Sequence, residues 1–169
     1  MILYHGTNIN IQSINLALCR PYKDFGKGFY TTEIFEQAQK MAKRVARIYG
    51  GNPIVNVYEI ADGFMENEEL NILNLGKAPS EKWAVFVMNN RSKAFIDFGN
   101  MDCNFDCKYD IVSGPIADDD MAILFRQYQS SLITMQTMVN GMAFRETTNQ
   151  YSFHTERAVS LLQKVGVLQ

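Results

Sequence analysis

The stretch "DFGKGFYTTEIFEQAQKMAKRVARIY", residues 24–49, changes pattern at Thr32. Beyond it, Ile34, Ala38, Met41, Ala42, Val45 and Ile48 recur at helical spacing, which predicts a helix over 33–49 with one apolar face. Thr32 is placed to cap it, and Gly50 and Gly51 to stop it. Ahead of the helix, Gly26 and Gly28 bracket Lys27, and Phe29 and Tyr30 follow. Glycines there permit positive φ or close approach of a flat ligand to the backbone, and the two rings offer faces beside a helix N-terminus. Read alone, the stretch is more simply a tight turn whose aromatics fill the core. It is not a dinucleotide fingerprint, because the G-x-G-x-x-G spacing and a preceding strand are absent.

Outward from this stretch, short strands are expected at 2–5, ended by Gly6 and Thr7, and at 53–61 and 70–75. Another is expected at 109–117, broken by Gly114 and Pro115, and one more at 150–154. Ser80 and Thr134 are candidate helix caps, and the acids 118–120 suit the positive end of a helix over 118–129. Thr155 is expected to open a last helix ending at Gly166. Strands and helices interleave without the regular alternation of a doubly wound sheet, so the expected class is α+β.

At 169 residues, with 47% hydrophobic and 20% charged residues, the chain is expected to form one domain over 1–169 with its own core. A net charge of −2 argues against a uniformly basic surface, though not against a local basic patch. Three cysteines and two histidines make a metal site improbable and reduced structural cysteines the simpler expectation. The N-terminus lacks a secretory pattern and no segment is apolar for long enough to span a bilayer, so the expected location is cytoplasmic.

Two further groups carry candidate chemistry. In "YHGT", His5 projects opposite to Tyr4 and beside Gly6, whose amide no side chain shields. A neutral imidazole there can donate to a ribose hydroxyl while the glycine backbone reads an amide; a core histidine bonded to a carbonyl is the plainer alternative. In "NQYSFHTE", a strand puts Gln150, Ser152 and His154 on one face, expected to look into a cleft, with Tyr151 and Phe153 packed inward.

Together and in this order, the three groups resemble the nicotinamide-binding half of the ADP-ribosyltransferase superfamily, in its poly(ADP-ribose) polymerase and diphtheria-toxin branch. His5-Gly6, Gly26-Lys27-Gly28-Phe29-Tyr30 and Asn149-Gln150-Tyr151 match the motifs of that branch, with glutamine where it has glutamate. Through "DFGKGFYTT", Trp83 to Arg91, "YDIVSGPIADD" and "QYSFHTE", the chain also resembles, over nearly its full length, a bacterial family of unknown function often encoded beside a small antitoxin-like gene.

The resemblance implies split antiparallel sheets with flanking helices and NAD as substrate. It places the carboxamide on the Gly6 backbone, a ribose hydroxyl on His5, and the nicotinamide against Tyr30, with Thr7, Gly28 and Phe29 completing the contacts. Gln150 and Glu146 are the candidates for the glutamate's place, with Glu156 accounted for by the helix dipole. Ala38 stands where the branch has a serine, so that carboxamide contact is missing. The expected activity is mono-ADP-ribosyl transfer to a protein or nucleic acid, as a toxin with a small antitoxin-like partner. A silent NAD or ADP-ribose binding module is one alternative. A tRNA 2′-phosphotransferase-like enzyme using Arg20, Arg91 or Arg145 is another. Arg91 is expected to meet a pyrophosphate or to pair with Asp97 or Asp110. Asn90 and the acids 118–120 have no role readable from sequence.

Overall fold

Helix α1 (Phe35–Tyr49) lies directly on strand β1 (Ile2–Thr7), because the residues between them are small. A Cβ at Gly6 would stand 1.9 Å from the Ala38 carbonyl oxygen, so only glycine allows this approach. Gly6 and Thr7 therefore continue the strand that they were expected to end. This is seen in a computed structural model that describes residues 1–143 and 148–168.

Two sheets organise the α+β fold. The first has the order β1-β3-β7, all antiparallel, with β3 at Ile54–Glu59 and β7 at Gln163–Leu168. The second has the order β2-β6-β5-β4, formed by Phe29–Thr31, Asn149–Phe153, Ile111–Pro115 and Ile72–Asn74, with β4 and β5 parallel. Among the described residues, one bridge, Tyr4 to Thr32, joins them.

Helix α2 (Glu81–Arg91) packs behind the second sheet with Trp83, Phe86 and Val87 fully buried. Gly114 makes room for it, since a Cβ there would lie 3.3 Å from the Trp83 ring, and the Trp83 indole N–H donates to Pro115 O at 3.0 Å. Strand β5 thus runs unbroken through Gly114 into Pro115, contrary to the break expected from those residues. Helices α3 (Asp119–Gln129) and α4 (Met135–Ala143) enclose the same core through Met121, Phe125, Met138 and Met142. A second core, around Leu3, Phe29, Tyr58 and Phe153, fills the other side of β2 and β6.

The caps divide. Ser80 accepts from Trp83 N at 3.2 Å and Asp118 from Met121 N at 2.8 Å, which gives the 118–120 acids a role at the start of α3. Thr32 accepts from Ile34 N at 3.2 Å but does not cap α1, whose N-cap position is Ile34, two residues further on. The last expected helix is mostly absent. Helix α5 spans Glu156–Val159, and the chain then pairs as β7 with β3, Gly166 opposite Val57 beside a bulge. Val165 and Val167 suit that pairing better than a helix interior.

Candidate functional site

Beyond the Tyr4–Thr32 bridge the two sheets part. The N–H and C=O of Tyr4 both bond Thr32, at 3.0 Å or less. By strand alternation those of Gly6 face the same way, into the split, where no strand pairs with them. His5 occupies the next position along the opening. Its Nδ1 lies 2.7 Å from Tyr30 O, and its ring stacks on Phe29 with centroids 4.3 Å apart.

A carbonyl only accepts, so Nδ1 carries the hydrogen. Burial holds the imidazole below its ordinary range, which keeps it neutral at pH 7 and leaves Nε2 as an acceptor. The expectation that His5 donates to a ribose hydroxyl is corrected: a hydroxyl must donate to His5.

Tyr30 points away from His5. Strand alternation puts Phe29 in the core that holds Leu3, and Tyr30 against the other core beside Phe25. The Tyr30 ring lies nearly parallel to Phe25, at 22° and 6.2 Å. Its hydroxyl accepts from Phe25 N at 2.9 Å and donates to Gly26 O at 2.7 Å, so it staples the glycine turn. Gly26 sits at φ +90°, which requires glycine in practice. Extending the bridge register by two residues sets Gly6 opposite Tyr30, so the split offers the Gly6 backbone and the Tyr30 ring on one surface.

Gln150 shares that surface but is held. Its Nε2 donates to Asp24 Oδ2 at 2.8 Å, and only 8% of the residue is exposed. Asp24 Oδ1 accepts from Arg91 Nε at 2.9 Å and from its terminal nitrogen at 2.7 Å, while Ala117 N reaches Oδ2 at 3.2 Å. Arg91 also donates to Ala117 O at 2.9 Å. Its partner is therefore Asp24 rather than Asp97 or Asp110. Asp110 pairs instead with Arg157 at 2.6 Å. Because a carboxylate only accepts, the amide orientation is fixed: Nε2 faces Asp24, and Oε1 has no partner among the described residues. Asp24 was missed in the sequence because nothing there distinguishes it from other turn acids.

The rest of the polar row does not face a cleft. Ser152 and His154 are buried, with Ser152 Oγ 2.7 Å from His154 Nε2 and His154 Nδ1 2.8 Å from Lys27 O. Burial pulls His154 down to about 4, so its ring is neutral, Nδ1 donates to Lys27 O and the serine hydroxyl donates to Nε2. Gly28 is glycine because of this ring: a Cβ would meet His154 Nδ1 at 2.6 Å. Asn90, also buried, donates to Phe86 O at 2.8 Å and accepts from Asn104 N at 2.9 Å, tying the 92–109 loop to α2. Glu146 and Arg145 lie outside the described residues.

Two surface depressions, of about 470 and 390 Å³, lie at Tyr128–Thr134 and beside Met1, Glu59 and Leu161, away from the split. Among the described residues, no helix is long and apolar enough to cross a membrane, and no group of three acidic, histidine or cysteine side chains is arranged to hold a metal ion. A family model described as protein of unknown function (DUF3990) matches residues 1–164, and the chain belongs to that family. No curated protein and no solved structure matches it.

Proposed function

We propose that the protein is an NAD-dependent mono-ADP-ribosyltransferase acting on a protein or nucleic acid. The observation that carries this reading is the split itself. An unpaired glycine backbone and a neutral imidazole with a free acceptor nitrogen stand side by side where the sheets separate. A carboxamide needs a backbone donor and acceptor in line, which Gly6 supplies. A ribose hydroxyl needs an acceptor, which His5 Nε2 supplies. On the face opposite the His5 ring, Tyr30 would supply an apolar wall and Gln150 Oε1 a second hydroxyl acceptor.

In the reaction the bond from ribose C1′ to nicotinamide breaks, the neutral nicotinamide leaves with the electron pair, and the acceptor's nucleophile closes on C1′ and releases its proton to water. A fixed ring and aimed dipoles favour such a transition state. Gln150 lacks a carboxylate's charge, which limits the chemistry to single transfer. A small antitoxin-like protein is the proposed partner, and the cell interior the proposed location.

The capture of Gln150 by Asp24 favours one further reading, a module that binds NAD without cleaving it. Mass-spectrometric detection of nicotinamide released from NAD separates the two. The transferase reading expects release that His5→Ala reduces about a hundredfold, the scale of losing a dedicated polar contact in the transition state. Binding of NAD without release establishes the module instead, and neither binding nor release removes both.

A further inference from the structure

A second surface lies around the turn that carries Asp24. Tyr22 and Phe105 meet edge to face at 6.0 Å, and Phe98 meets Phe105 at 5.3 Å. This cluster is open to solvent, Tyr22 being 41% and Phe98 52% exposed. Tyr22 also holds φ 59°, a left-handed conformation that a bulky residue rarely adopts, and Cys107 beside Phe105 holds φ 54°. Strain that keeps an aromatic ring facing water is the kind of feature that collects at binding sites.

Exposed cations rim the rings. Lys23 follows Tyr22, Lys93 Nζ sits over one face of the Tyr22 ring 5.7 Å from its centre, and Lys27 is exposed next to Gly26, which packs against Asn104 beside Phe105. The exposed acids nearby are Asp97 and Asp106, and Asp106 is paired with Lys108 at 3.6 Å. In a chain of net charge −2, this is a local excess of positive charge around exposed aromatic rings.

We infer that this surface binds single-stranded nucleic acid, with unpaired bases stacked on Tyr22 and Phe98 and phosphates along Lys23, Lys27 and Lys93. Rings flanked by lysines fit a strand whose bases are free, whereas a duplex hides its base faces. Tyr22 stands two residues before Asp24, the partner of Gln150, so the bound strand would lie beside the candidate site. The inference names an acceptor class for the transferase reading, but binding alone carries it and no NAD is needed to judge it.

The test is fluorescence anisotropy with labelled oligothymidylate and oligouridylate of about 12 nucleotides, titrated over a salt series. Wild type should bind with a log–log salt slope near −2, about −0.7 for each of the three lysines. Tyr22→Gly should weaken binding about tenfold or more, the loss of one stacked base, and so should the exposed Phe98→Ala. Tyr22→Gly should also keep its melting temperature within about 2 °C, because glycine relieves the positive φ as the ring contacts are lost. Absence of binding at low salt overturns the inference, as does binding that both variants leave unchanged. Equal affinity for a duplex, or for an acidic polyglutamate peptide, marks a plain cationic patch and overturns it too. Nicotinamide release without oligonucleotide binding would sink this inference and leave the transferase standing; the converse would sink only the transferase.

Discussion

The Asp24–Gln150 contact holds a carboxylate and an amide 2.8 Å apart, so Gln150→Glu sets two carboxylates against each other. That change should cost about 2 kcal/mol at pH 7 by like-charge repulsion and should not raise NAD cleavage. The exchange Asp24→Asn with Gln150→Glu removes that repulsion but also the Arg91 ion pair, so it should recover only part of the stability, as urea unfolding would report. No recovery at all would mean that the Arg91 pair outweighs the repulsion.

His154 gives a second outcome at this scale. Its pKa is depressed to about 4 by burial, against an ordinary 6.5 in the unfolded chain. The unfolded state therefore binds more protons between those values. The buried ring's stability is complete above pH 6.5 and is lost as pH falls toward 4, by roughly 3 kcal/mol in all. Urea midpoints at pH 7 and 4.5 should differ accordingly, and a His154→Gln variant should show a smaller difference.

At the level of elements, what could be read from sequence was what local pattern determines. The α1 helix, the Ser80 cap and the Asp118 start of α3 are set by neighbours in the chain, although of the apolar stripe only Ala38 and Ala42 are buried and Ile34, Met41 and Ile48 are exposed. Strand β7 was not legible, because Gln163–Leu168 is a strand only by virtue of β3 beside it. The Gly6 and Gly114 readings failed for a related reason. Each is glycine to admit a distant element, and neither marks the end of a strand. Gly6→Ala should therefore act on the fold before it acts on any ligand. Its Cβ would lie 1.9 Å from backbone that cannot rotate away, so α1 must lift from β1. A loss of about 3 kcal/mol or more is expected in thermal unfolding, and a variant as stable as wild type would refute this packing account.

For the whole molecule, the arrangement of two sheets joined through the Tyr4–Thr32 bridge is what makes a site conceivable at all. Had β1 and β2 paired along their length, Gly6 would be spent on the ladder and His5 would have no opening to face. The three sequence groups do converge on this join, but not as one wall: Gly6, Tyr30 and Gln150 share a surface while His5 leaves from the other face. Sequence order alone could not show that, since the sidedness depends on the register between β1 and β2. The measurement that tests the account most directly is a ¹⁵N–¹H spectrum titrated with NAD. Binding at the split predicts saturable shifts of the Gly6 and Thr7 amides together with the Gln150 side-chain NH₂. Shifts confined to other parts of the fold, or none at millimolar NAD, would contradict it.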